Sequence, residues 1–193
     1  MPQNDKNHYD NPKAAYYALG ILTVVYAFNF IDRQLLAILQ ESIKADLGLS
    51  DSQLGLLSCF AFAVFYVTAG IPIARWADHG NRRNSVAGSL FIWSFMTALS
   101  GLVQNYAQLV LARIGVGIGE AGGSPPSHSI ISDIFPPNRR ATALGFYSTG
   151  GSFGILFGFL FGGWLNEFFG WRVAFMVVGI PGVFLAALLM FTL

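Results

Sequence analysis

Hydrophobic and polar positions along this chain alternate in long blocks, not residue by residue. Six apolar stretches, about 14–40, 53–76, 84–103, 107–132, 141–165 and 170–193, are separated by short polar connections. Crossing a hydrocarbon core of about 30 Å takes about 20 helical residues, so each stretch predicts one membrane-spanning helix. Residues 1–13 are polar and predict a disordered tail. Ser50 is placed to cap the second span, and Gln104-Asn105-Tyr106 reads as a tight turn. Pro136-Pro137-Asn138 ends the fourth span, because proline cannot continue the helical hydrogen-bond ladder. Pro125-Pro126 and Pro181-Gly182 lie inside apolar stretches and predict kinks. The first stretch is too long for the core of a signal peptide and is expected to stay in the membrane.

Composition agrees with an all-α membrane protein. Apolar residues make up 54% of the chain, charged residues 11%, and mean hydropathy is +0.54, against about 25% charged in an ordinary soluble domain. A net charge of +1 with no basic run excludes a nucleic-acid partner. The single cysteine, Cys59, excludes an intrachain disulfide. No spacing of His, Cys, Asp or Glu makes a metal site, and no nucleophile–base set points to hydrolysis. The expectation is no metal, no cofactor and no enzyme. If the N-terminus is cytoplasmic, that side holds Lys6, Lys13, Arg75, Arg82, Arg83, Arg139 and Arg140, and the other side only Lys44 and Arg172. This positive-inside bias predicts a multi-pass protein of the cell (inner or plasma) membrane. The chain ends on LLMFTL with no polar tail, which reads as the first half of a longer protein.

The chemistry concentrates in the few charges at membrane depth. Asp32 and Arg33 interrupt the first span, which has no other ionised side chain between Ala14 and Leu39. An ionised group at the bilayer centre costs several kcal/mol and turns inward, to a partner, a cavity or a substrate. Arg113 and Glu120 stand seven residues apart in the fourth span, two turns and so one face. Gly117, Ser124 and then Ser127 or His128 continue that stripe. Adjacent residues on a helix point about 100° apart, so Asp32 and Arg33 are poorly placed to satisfy each other. Pairing Asp32 with Arg113 and Arg33 with Glu120 is the economical solution. A lock between two helices is the plain reading of such a cluster, but buried pairs stabilise weakly. A carboxylate beside a removable cation can also load and release a proton. Asp32 and Glu120 are the proton candidates. Arg33, Arg113, Ser124 and His128 are the candidates for tuning them and meeting a substrate.

Several segments carry a family resemblance. Ala74-Arg75-Trp76-Ala77-Asp78-His79-Gly80-Asn81-Arg82-Arg83 resembles the G-x-L-A-D-R-x-G-R-[KR] loop of the major facilitator superfamily. Asp78, Arg82 and Arg83 match, whereas Ala74, His79 and Asn81 depart from it. Arg113 to Ala121 (RIGVGIGEA) resembles the superfamily's fourth-helix motif R-x-x-x-G-x-G-x-A, and Gly170-Trp171-Arg172-Val173-Ala174-Phe175 its G-W-R-x-x-F entry to the sixth helix. The Asp32-Arg33 pair and the run GEAGGSPPSHSIISDIFPPNRRATALGFYS are similar to the Spinster branch, transporters of lysolipids and sphingolipids. The resemblance implies a six-helix N-terminal bundle, with a C-terminal bundle missing from the chain and substrate bound at the midplane between halves. It also implies a cytoplasmic gate at Asp78, Arg82 and Arg83. Helices one and four would line the cavity, and helices three and six, poorest in polar groups, would face lipid.

Two glycine patterns complete the reading. Gly117 to Gly122 satisfies G-x-G-x-x-G, but within an apolar helical run and with no strand before it, so no nucleotide site is expected. Gly150, Gly154, Gly158 and Gly162 recur every fourth residue, the spacing that lets helix backbones approach closely. The functional expectation is a proton-coupled secondary transporter of lysophospholipid or a related amphiphile, working by alternating access. A small organic anion is the alternative substrate. A non-transporting receptor or assembly subunit is a third possibility. Partners would be the substrate, protons, the bilayer, and a second bundle, either the missing half or a second copy.

Overall fold

The apolar blocks fold as helices, and among the described residues there is no strand. The computed structural model describes residues 12–193, with the backbone alone for 59–62 and 74–79. The tail expected over 1–13 therefore lies outside the described residues except for Pro12 and Lys13, which already belong to the first helix. Helix α1 spans Pro12–Leu47, running past the apolar block into Glu41, Lys44 and Asp46. It stops at Gly48, whose φ of 65° turns the chain into the left-handed region while Leu49 N–H bonds back to the Lys44 carbonyl at 3.1 Å. Ser50 then caps α2 (Asp51–Gly55) in a reciprocal box with Gln53. A π-helical stretch, Leu56–Ala61, leads directly into α3 (Phe62–His79). Asn81 caps α4 (Arg82–Ser100), and Asn105 caps α5 (Tyr106–Ala121) by accepting from Gln108 N–H at 3.0 Å.

The fourth apolar stretch is two helices. Helix α5 ends before Gly122-Gly123, and α6 covers Ser124–Ile134. Pro125 and Pro126 thus sit in the first turn of a new helix, where a missing N–H costs nothing. The expected mid-helix kink is a glycine break with prolines starting the next segment. Helix α7, Pro137–Thr192, has 56 residues and would be about 84 Å long if straight. It is not straight, because Gly170 has φ 81° and ψ 164°, a conformation only glycine adopts readily. Two arms of α7 run on either side of it.

Close glycine contacts fix how the helices run. A Cβ on Gly150 would lie 2.5 Å from the Thr23 carbonyl oxygen, and one on Gly158 2.9 Å from Gln34 Cβ. Gly154 and Gly162 meet Ala27 and Ile38 in the same series. Numbers rise together, so the first arm of α7 is parallel to α1. Gly115 meets Met96, Gly119 meets Trp93 and Gly122 meets Ser89, so α4 and α5 are antiparallel. Gly101 meets Arg172 and Gly179 meets Ala98, so the second arm of α7 is antiparallel to α4. One face of the bundle carries Arg82, Arg139 and both described chain ends, joined by Tyr17 Oη donating to Thr192 Oγ1 at 2.7 Å. On the other face Arg172 pairs with Asp46 and Lys44 with Asp51.

Among the described residues, three helical stretches are long and apolar enough to cross a membrane by themselves: Pro12–Leu47, Asp51–Ile73 and Pro137–Thr192. Their outward faces are apolar, with Val67, Ile71, Phe153, Phe157 and Phe161 exposed. Inside are two apolar cores. Leu22, Val25, Leu90, Trp93, Val116 and Ile131 pack toward the Arg82 face. Leu35, Leu39, Ile43, Leu57, Leu109 and Phe175 pack toward the other. Between them, on α1, α4 and α5, is a polar layer.

Candidate proton and substrate site

The polar layer contains the four charges the sequence placed at similar depth. Asp32, on the inward side of α1, is 1% exposed, and Arg113 and Glu120 on α5 are 2% and 1% exposed. Arg113 Nη2 donates to Asp32 Oδ2 at 3.3 Å and Nη1 to Oδ1 at 3.5 Å. Arg33 Nε donates to Glu120 Oε2 at 2.8 Å. These are the two cross-helix pairings expected from sequence, brought together in a bundle where α1 packs on α7, α7 on α4 and α4 on α5.

The pairs have different surroundings. Asp32 and Arg113 are both sealed from solvent, whereas the Arg33 side chain is 34% exposed and that of Glu120 is 0%. The outer pair therefore has one member at the open side of the bundle. The Arg33 guanidinium lies 5.3 Å from the ring centre of Tyr66 and 5.7 Å from that of Phe30, contacts that hold a cation over aromatic faces. Glu120 Oε1 is buried with no hydrogen-bond partner among the described residues, and so is Arg113 Nε. A buried polar atom without a partner is costly, and here two of them lie in one charged cluster.

Thr97 of α4 is the member that sequence reasoning missed. It is 1% exposed, and its hydroxyl donates to Asp32 Oδ1 at 2.6 Å. Helix α4 was expected to face lipid. Its outer residues Phe91 and Phe95 are exposed, but Ser85, Ser89, Ser94, Thr97 and Ser100 are buried on its inner face. That period of three to five along an apolar helix was the available signal.

The remaining site candidates lie apart from the cluster. Ser124 lines a cavity of about 10 Å³ with Asn29, Trp93, Ser127 and Tyr147, room for about one water. His128 is exposed, its ring packing edge-on to Tyr147 with centroids 5.1 Å apart. The structure thus brings neither into the charged layer. Of the gate residues, the Asp78 side chain lies outside the described residues. Arg82 pairs with Asp133 of α6, an acid the sequence reading did not single out, and Arg83 Nε donates to Asn84 Oδ1 at 3.3 Å. No group of three or more His, Cys, Asp or Glu side chains able to hold a metal occurs among the described residues.

The bundle thus has apolar outer faces and, between two apolar cores, a layer of acids and bases in which Asp32, Arg113 and Glu120 are buried and Arg33 reaches the open side. The chain belongs to the Major Facilitator Superfamily, whose family model matches residues 22–193. It is 40% identical over 96% of its length to an MFS-type efflux pump of Mycolicibacterium smegmatis, covering 44% of that protein. It is 34% identical to a probable L-galactonate transporter of Escherichia coli (88% of this chain, 37% of that one). It is 32% identical to the sphingosine-1-phosphate transporter SPNS2 of Xenopus tropicalis (94% and 36%). Its fold superposes on a bacterial homologue of the human lysosomal transporter Spinster, in an inward-facing, unoccupied conformation, with a TM-score of 0.89 at 40% identity, covering 95% of this chain and 44% of that one. Within the superfamily, then, the chain is Spinster-like. It spans less than half the length of these relatives.

Proposed function

We propose that this chain is half of a proton-coupled secondary transporter that moves a lysophospholipid or related anionic amphiphile by alternating access. The observation that carries the reading is the Glu120–Arg33 pair. A fully buried carboxylate keeps one oxygen without a hydrogen-bond partner among the described residues and shares the other with a cation that reaches the open side. Substrate arriving at Arg33 with a negative head group competes with Glu120 for that cation. Glu120, losing its counter-charge in a dry site, takes up a proton. Asp32, held by Arg113 and Thr97, would be the second proton carrier. Loss or return of the head group reverses the exchange, and this links substrate movement to protons.

The amphiphile is favoured by an apolar groove of about 630 Å³ between α1 and the start of α7, lined by Tyr16, Leu19, Phe135 and Phe146, with Arg139 on its wall. It offers an alkyl chain a slot beside a cation. A second six-helix bundle would close the cavity over α1 and α5, and the gate would be the Arg82–Asp133 contact together with Asp78 and Arg83. The excess of basic residues on the Arg82 face supports a cytoplasmic side there, with the cell membrane as the proposed location. The similarity to a probable L-galactonate transporter favours, as second reading, a small organic anion at the same arginine. Uptake by the full-length protein in liposomes tests both. Labelled lysophospholipid and labelled sugar acids are compared with and without a proton gradient. Gradient-dependent uptake of the lysolipid supports the first reading, gradient-dependent uptake of the sugar acid alone the second. Uptake of neither above empty liposomes sinks both.

A further inference from the structure

Among the described residues, the hydrogen-bond partners of Asp32 are the Arg113 guanidinium and the Thr97 hydroxyl. A guanidinium has donors only, so it cannot accept a hydrogen from a protonated Asp32. Thr97 can. Its Oγ1 lies 2.6 Å from Asp32 Oδ1 and 2.9 Å from the carbonyl oxygen of Trp93, one turn back on α4. A hydroxyl has one hydrogen and two lone pairs, so these two oxygens compete for a single hydrogen. With Asp32 charged, the hydrogen points to Oδ1. With a proton on Oδ1, that O–H donates to Thr97 Oγ1, and the threonine hydrogen turns to the Trp93 carbonyl. In both protonation states the Asp32 carboxyl and the Thr97 hydroxyl keep a hydrogen bond to each other without either heavy atom moving.

We propose that Thr97 is a positioning residue for proton exchange at Asp32, its hydroxyl reversing hydrogen-bond direction as the carboxyl gains or loses its proton. The inference rests on the reading of Asp32 as a proton carrier. The charged groups facing Asp32 are Arg113 of α5 directly, with Arg33 of α1 and Glu120 of α5 in the same layer. Helices α4 and α7 bring no charged residue to this level, since their acids and bases lie near their ends and near Gly170. Thr97 is thus the neutral group that serves both states, whereas Arg113 favours only the charged one.

The test is an infrared pH titration of the full-length transporter in liposomes, comparing wild type, D32N, T97V and T97S. The stretch of the protonated Asp32 carboxyl is the band missing from D32N. In T97V its midpoint should shift, since the hydroxyl that serves both protonation states is lost. The band should also move to the higher frequency of a carboxyl that donates to nothing. T97S, which restores the hydroxyl, should reproduce the wild-type midpoint and frequency. If Asp32 shows a band but T97V leaves both unchanged, the role of Thr97 is overturned and the proton role of Asp32 stands. If no band is lost in D32N at any pH at which the protein stays folded, both fall. Should T97V fail to insert, the wild-type frequency carries the result. A donating carboxyl supports the proposal, and a free one overturns it.

Discussion

Removing the acid from each ion pair should have very different consequences for stability. Asp32→Asn leaves Arg113 2% exposed, still charged, and facing a neutral amide. Arginine does not deprotonate in proteins, so the charge cannot be shed. Breaking a buried pair in this way costs about 3–5 kcal/mol. The amide oxygen of asparagine still accepts one hydrogen bond, which puts the expectation near the lower end, about 3 kcal/mol. Glu120→Gln also removes an acid, but its partner Arg33 is 34% exposed, and solvent can take over the charge. That loss should be about 1 kcal/mol or less. The double variant Asp32→Asn, Arg113→Met should recover most of the deficit, because an apolar side chain in place of the stranded cation removes the desolvation cost. The assay is thermal unfolding of the full-length protein in one detergent at one scan rate, which treats irreversible unfolding consistently. Equal losses for Asp32→Asn and Glu120→Gln would refute the asymmetry between the pairs. A double variant as unstable as Asp32→Asn alone would show that the stranded charge is not the cause.

Three further outcomes follow from the same geometry. Gly154→Leu drives a side chain into the Ala27 carbonyl of α1, whereas Gly163→Leu meets nothing within 4 Å; the first should lose about 2–3 kcal/mol and the second should melt like wild type. Arg33→Ala should abolish uptake of an anionic substrate at unchanged membrane expression, with Arg33→Lys retaining part of it. A variant that fails to reach the membrane would favour a purely structural cluster. Asp133→Asn releases Arg82 at the basic face, and cysteine labelling from that face should increase; unchanged labelling would remove the pair from the gate.

The layout of helices was legible because lipid imposes long apolar blocks, and the glycine ladder and the charge pairing were legible because helical periodicity is strict. Arg113 and Glu120 had to share a face, and Asp32 and Arg33 could not. What could not be read were features fixed by tertiary contact. Helix α5 ends at Gly122-Gly123, where the chain lies against the side chains of Ser89 and Trp93, and an apolar stretch with two prolines gives no sign of which residue breaks it. Thr97 was hidden because a threonine in an apolar helix more often satisfies its own backbone, as it partly does here through the Trp93 carbonyl. His128 followed the polar stripe by spacing, but the break at Gly122-Gly123 rotates the stripe away from the cluster. Asp133 lies just beyond the fourth apolar stretch, and only the packing of α6 beside α4 brings it to Arg82.

The central claim is that Glu120 exchanges a proton when Arg33 changes partner. Because Glu120→Gln is expected to fold, its transport phenotype can be read directly. The measurement is uptake of labelled lysophospholipid by liposomes holding the full-length wild-type or Glu120→Gln protein, across an imposed pH gradient and with none. The account predicts that the wild type responds to the gradient, and that Glu120→Gln carries substrate at a rate the gradient no longer changes. A Glu120→Gln protein with the wild-type response to the gradient would contradict it.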